Sequence, residues 1–179
     1  LREAAGTDPD YALLHERLAA ADLRLAGFAP GTDAELEALL YRSHGAVQQL
    51  AAQVLAGGRS DALAAFGALL GRGIGLTEAI RELRQDAVDG TLRVPLERLR
   101  AAGVAPESLR GPTPAAVVPA LEDLANRARG ALAGSSRTLA RDERRAQSHG
   151  LVLAALHEQL LDVLAGARWD VSTPRAAHP

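Results

Sequence analysis

Between Phe66 and Leu99 lies the stretch that most constrains the fold, FGALLGRGIGLTEAIRELRQDAVDGTLRVPLERL. On a helix Glu78, Glu82 and Asp86 recur at every fourth residue and share one face, while Leu76, Ile80, Leu83 and Ala87 point elsewhere. Such a face could hold a divalent cation, since hard cations take carboxylate oxygens. Gly71 and Gly75 continue the stripe toward the N-terminus, where a missing side chain lets a second helix or a ligand approach the backbone. Gly71, Gly73 and Gly75 each cost about 1 kcal/mol against alanine in a helix, so a kink is expected there, with something packed close to it. Past the Asp89-Gly90 turn signal, Thr91 to Val94 read as an extended step and Pro95 opens a new helix.

The remaining segments favour helices as well. Ala and Leu dominate, and aromatic residues make up only 3% of the 179 residues, which with the long periodic runs implies an all-α fold. Thr7-Asp8-Pro9 starts a helix whose periodic part, Tyr11 to Leu25, stops at Gly27. The capping box Thr32-Asp33-Ala34-Glu35 opens a second that should run to Gly57-Gly58. Ser60-Asp61 caps a third, expected to continue to about Val88. After a short helix from Pro95 to Ala101 and a Pro/Gly-rich surface loop, Thr113-Pro114 starts another, expected to end near Ala133 at Gly134-Ser135-Ser136. The last runs from Arg137 to Ala165, with Gly150 as a possible break. The chain length fits a single domain, residues 1–179, with 167–179 expected as a flexible tail.

Several chemistries are excluded or disfavoured. A net charge of -2 with interleaved signs argues against nucleic acid as the main partner, and the 20 basic residues, all arginine, form no concentrated basic face. Without cysteine there is no disulfide framework, thiolate metal site or thiol nucleophile, which suits a reducing cytoplasm. No uninterrupted apolar run reaches spanning length, so membrane contact is at most peripheral, at the membrane surface. His15, His44, His149 and His157 lack metal-ligand spacing. Ser43 and His44 are adjacent, so their side chains are expected to diverge on a helix rather than pair. By itself the acidic stripe reads as a solvated helix face with pairs of the Glu78–Arg81 type.

The motif as a whole resembles the second aspartate-rich segment of the squalene/phytoene synthase family, Q-L-T-N-I-L-R-D-V-x-E-D-x-x-x-G-R-x-Y-L-P-L-E-x-L. Without a gap, Leu76, Thr77, Arg81, Asp86, Gly90, Pro95, Leu96, Glu97 and Leu99 match it. Gly75 replaces the glutamine, Glu78 the asparagine, Glu82 the first aspartate, Gln85 the glutamate and Arg93 the tyrosine. Tyr41 and Ala46 keep register with a second family pattern, and residues 156–171, ending Arg168-Trp169-Asp170-Val171, are similar to the family's C-terminal one. The resemblance implies a helical bundle of the isoprenoid-synthase type, N-terminally incomplete because the family's first aspartate-rich motif has no counterpart. It implies Glu78, Glu82 and Asp86 as ligands of Mg2+ if the protein is active, and Tyr41, Arg81, Arg84, Gln85 and Arg93 as substrate-binding residues; it assigns no catalytic residue. The ligand implied is a prenyl diphosphate or other isoprenoid lipid, in a cavity lined by Leu, Ala and Gly, with a protein partner or a second copy also in view. Because the departures fall on the polar positions, the expected function is a catalytically degenerate relative that binds or scaffolds. The alternative is an active head-to-head prenyl diphosphate transferase whose first motif lies in a missing N-terminal segment or a partner chain.

Overall fold

A computed structural model describes residues 10–141 and 143–171, the side chain of Tyr11 excepted; Thr7 to Pro9, expected to start the first helix, and residues 172–179 lie outside them. Every regular element among the described residues is helical. In chain order these are α1 (Tyr11–Leu25), α2 (Asp33–Leu40), a π-helical turn (Tyr41–Gly45), α3 (Ala46–Ala56), α4 (Asp61–Arg81), α5 (Leu83–Asp89) and α6 (Leu96–Ala101). Two 3₁₀ turns, Pro106–Arg110 and Ala115–Val117, lead to α7 (Val118–Thr138), α8 (Glu143–Ala146) and α9 (Ser148–Gly166).

Helix starts follow the expected chemistry. Asp10 caps α1 by accepting from the Ala12 N–H. Thr32 and Glu35 form the reciprocal capping box of α2, and the Ser60 hydroxyl accepts from the Leu63 N–H at the start of α4. Gly57 and Gly90 close α3 and α5 in the left-handed region, at φ 66° and 73°, where a Cβ would be strained.

Helix α4 is the axis of the bundle, packed by α3, α7, α9 and the π turn. Phe66, Leu70, Leu76 and Ile80 are fully buried and join Leu121, Leu124 and Leu132 of α7 with Leu160, Leu161 and Leu164 of α9 in one core. It is the one described helix long and apolar enough to cross a membrane, and 67% of its apolar window is buried inside the protein. The glycines make this packing possible. A Cβ on Gly71 would lie 2.5 Å from the Gly45 nitrogen and from the His44 carbonyl carbon, and one on Gly67 would lie 2.4 Å from the Gln49 backbone. The close neighbour expected for the glycine stripe is therefore another helix, backbone against backbone.

Four boundaries differ from the expected ones. Helix α4 ends at Arg81 rather than Val88, because Glu82 (φ -95°, ψ 9°) leaves helical geometry before α5 begins; the expected continuous helix is two. The interruption is seven residues beyond the glycines, and α4 stays helical through them. Helix α7 runs through Gly134-Ser135-Ser136 to Thr138, since Ser135 and Ser136 donate to the carbonyls of Leu132 and Ala133 in their own helix. Gly150 does not break α9; a Cβ there would meet the Phe66 ring at 2.7 Å, so its role is packing. Residues 167–171, expected to belong to a flexible tail, are instead packed on the core: Trp169 is 5% exposed, and its indole N–H donates to Glu122 at 3.4 Å.

Candidate functional site

Four stretches converge on the acidic stripe: the end of α4, the start of α5, the segment after Gly90, and the π turn. Arg93 lies directly on the three carboxylates. Its Nε donates to Asp86 Oδ2 at 2.7 Å. Its Nη2 donates to Glu82 Oε2 at 2.5 Å, to Asp86 Oδ1 at 3.2 Å and to the Glu78 carbonyl at 3.4 Å. Nη1 is 3.9 Å from Glu78 Oε2. The break at Glu82 does not scatter the stripe, because one guanidinium gathers it.

A second cation reaches the stripe from α4 itself, Arg81 bonding Glu82 Oε1 at 2.5 Å. The π turn supplies a third contact. His44 Nε2 lies 3.0 Å from Glu78 Oε2, and its Nδ1 lies 2.7 Å from the Ser43 hydroxyl. Ser43 and His44 therefore do pair, against the expectation from a regular α-helix. The wider π turn brings the neighbouring side chains together, and Ser43 Oγ donates to the Leu39 carbonyl at 2.7 Å. Held by Ser43 at Nδ1, the His44 ring is oriented with Nε2 toward Glu78.

Electrostatics follow from these contacts. The His44 hydrogen bond, with Arg81 and Arg93 nearby, holds Glu78 below the usual carboxylate range against the opposing effect of burial. Burial pushes Glu82 up, but bonds from Arg81 and Arg93 outweigh it and the net direction is down. Asp86, 1% exposed, is pushed up by burial despite its bonds to Arg93. Burial alone would lower Arg93, but Asp86 and Glu82 more than offset it and keep the guanidinium charged.

Part of the cluster, Glu78, Glu82 and Arg93 but not the buried Asp86, borders a cleft of about 670 Å³ beside α1. Glu78, Glu82, Arg93, Ser43 and His44 line one side. Arg17, Ala20, Ala21, Arg24 and Leu25 of α1 line the other, with Phe28 and Leu39 adding apolar surface. The expected lining of Leu, Ala and Gly is only partly met: nine of the fourteen lining residues are polar or charged, and no glycine lines it. Gly71 and Gly75 are used up against the π turn, where a Cβ on Gly75 would meet Leu40 at 2.7 Å and His44 Nδ1 at 3.0 Å.

The other expected site residues lie outside the wall. Gln85 is exposed and bonds Asp89, and Arg84 is exposed with its Nε donating to the Arg110 carbonyl on the side of the first 3₁₀ turn. Tyr41 is 42% exposed, with its ring beside Gly45. Three cleft residues escaped the sequence reading: Arg17, Arg24 and His44. The signals were present but weak, Arg17 and Arg24 falling seven residues apart on α1 and His44 sitting opposite two glycines of α4.

The carboxylates do not present a magnesium shell as placed. Magnesium wants octahedral oxygen ligands with several retained waters, and here the facing oxygens of Glu82 and Asp86 accept from a guanidinium. Among the described residues no group of three or more His, Asp or Glu side chains is arranged to hold a metal ion.

The end of the motif, Pro95-Leu96-Glu97, has a structural use. Glu97 Oε1 accepts from the Asp33 N–H at the start of α2, and the Leu96 and Glu97 N–H groups donate to the carbonyls of Pro30 and Gly31. Pro95-Leu96-Glu97 thus ties α6 to the entry of α2.

Comparison with known proteins agrees with this architecture. The chain matches a dehydrosqualene synthase solved in complex with a ligand, at a TM-score of 0.79 and 20% sequence identity. The match covers 91% of this chain and 58% of the synthase, so the chain spans less than two thirds of that protein's length. At that identity the likeness establishes the helical isoprenoid-synthase fold. No protein of curated function matches the sequence. The sequence profile described as squalene/phytoene synthase matches residues 10–179. The chain therefore belongs to the squalene/phytoene synthase family.

Proposed function

We propose that the chain binds an isoprenoid amphiphile, a prenyl diphosphate or related lipid, in the cleft between α1 and the acid face, and does not join two such molecules. The carrying observation is Arg93: the face on which the family's reaction needs a metal is bonded to a guanidinium of the same chain. A cleft of about 670 Å³ is within the usual range for small-molecule sites and has apolar surface beside charge, which suits a ligand with a tail and an anionic head. A binding or scaffolding role, with a protein partner or second copy, follows for a relative that keeps the fold and not the chemistry.

The test is the purified chain with Mg2+ and farnesyl or geranylgeranyl diphosphate, scored for release of inorganic diphosphate. No turnover is expected. Turnover that disappears in Glu82→Ala and Asp86→Ala would overturn the proposal in favour of an active head-to-head transferase. That second reading has one observation behind it: the solved synthase is longer, so its remaining part could have an equivalent in a preceding segment or a partner chain.

A further inference from the structure

Charge is distributed unevenly in the cleft. Glu78, Glu82 and Asp86 are all engaged by Arg93, Arg81 or His44, so these three acids are partnered within their own chain. Arg93 is spent in the same way: its side chain is 11% exposed, and Nε and Nη2 point at carboxylate oxygens. Arg17 and Arg24 are different. Both are exposed on the facing wall, two turns apart on one side of α1, and no hydrogen bond or ion pair to a described residue holds either guanidinium. Ala20 and Ala21 between them leave the wall low, and Leu25 and Phe28 place apolar surface next to the charges.

We propose that Arg93 is a built-in cation standing where the family uses magnesium, and that the cleft takes its phosphate-bearing amphiphile without metal, Arg17 and Arg24 meeting the anion. The inference rests on the reading of the cleft as an isoprenoid site and specifies how that site recognises the head group. A magnesium ion could enter the stripe only by expelling Arg93, which would strand one nearly buried cation to admit another. A guanidinium, unlike a hydrated ion, is fixed to the backbone, and with Nε and Nη2 bonded to the acids it offers a phosphate oxygen no more than Nη1. The anion must then be met by Arg17 and Arg24, whose guanidiniums no hydrogen bond or ion pair to a described residue holds, although the charge of Arg24 is felt by Asp86. Two exposed guanidiniums with a low apolar wall between them offer bidentate donors to a diphosphate while its tail lies against Leu25, Phe28 and Leu39.

The experiment is calorimetric titration of the whole chain with farnesyl diphosphate, once in EDTA and once in excess Mg2+, with farnesol as the uncharged control. Binding in EDTA is expected, not tightened by Mg2+, stronger than that of farnesol, and weaker by about tenfold or more in the Arg17→Ala/Arg24→Ala double variant. Both positions are exposed on α1, so unchanged thermal unfolding of that variant is the check that its fold is intact. Binding only in the presence of Mg2+ would overturn the inference and leave the cleft as an isoprenoid site. Binding no stronger than farnesol, or undiminished in the double variant, would overturn the role given to the two arginines. No binding in either buffer would overturn both this inference and the proposed function.

Discussion

The molecule holds two ionic clusters, and they are built in different ways. In the cleft, the three acids come from one stretch of sequence and one guanidinium, Arg93, bonds three of their six carboxylate oxygens at the edge of an open space. The other cluster ties four helices together. Glu37 of α2 takes a bidentate pair from Arg72 of α4 at 2.7 and 2.8 Å and a further bond from Arg127 of α7. Asp33 of α2 takes a bidentate pair from Arg98 of α6 at 2.7 and 2.6 Å, and Arg98 also reaches Asp123 of α7 at 2.7 Å. That network matches three acids to three arginines, and its acids keep a third or more of their side-chain surface in water. It is a clamp between helices. The cleft cluster has more acid than its one buried guanidinium neutralises, includes an aspartate shut off from water, and borders a cavity.

This contrast can be broken most directly by removing one arginine from each cluster. Arg93→Ala leaves Asp86, whose side chain is 2% exposed, without its main partner, and a loss of about 3–5 kcal/mol is expected in urea unfolding. Arg98→Ala, whose partners are 40% and 52% exposed, should cost about 1 kcal/mol or less for each pair. Equal losses would remove the distinction between a buried site and a surface clamp.

A glycine pair sharpens the same point, because the cleft cluster depends on backbone contact between α4 and the π turn. Gly71→Ala puts a methyl group 2.5 Å from the His44 carbonyl carbon, with backbone on both sides and no side chain to give way. A loss of about 1–3 kcal/mol is expected, with a change in the His44 ring resonances as it shifts relative to Glu78. Gly130→Ala, on the exposed side of α7 with nothing within 4 Å, should gain up to about 1 kcal/mol from helix propensity.

Acid titration separates Asp86 from the clamp acids by sign, while Glu78 and Glu82 are lowered as Asp33 and Glu37 are. Asp33 is held low by the hydrogen bond from Arg98, and Glu37 is held low because Arg72 and Arg127 outweigh the effect of burial. A carboxylate lowered in the folded state contributes stability present above its unfolded value, about 4, and lost as pH falls through its folded value. Asp86 is raised, so its contribution runs the other way, favouring the folded state more as pH falls through its titration. The urea midpoint should therefore drop on acidification. The drop should shrink in Asp33→Asn, whereas Asp86→Asn should not shrink it; the reverse pattern would mean the buried acid, not the clamp, sets acid stability.

The clusters also differ in how far they could be read from sequence. The cleft acids were legible because they are local, spaced by four on one helix and embedded in a family motif, and the capping box at Thr32 and the stop at Gly57 were legible for the same reason. The clamp was not, since Glu37 finds Arg72 and Arg127 across 35 and 90 residues and no local pattern connects them. Arg93 was placed among substrate contacts because its position matched the motif's tyrosine. What the motif could not convey is that an arginine there reaches back to all three acids. The Ser43–His44 pair was missed because a π turn inside a helix has no composition signal, though Gly71 marks where the backbones meet and Gly75 where the His44 ring packs.

The account's central claim is that one guanidinium holds the acidic stripe, and diffraction from crystals soaked in Mn2+ tests it most directly. Continuous density for the Arg93 side chain among Glu78, Glu82 and Asp86, with no anomalous peak between the carboxylates, is the expected result. A manganese peak there, with Arg93 swung away from the acids, would contradict it.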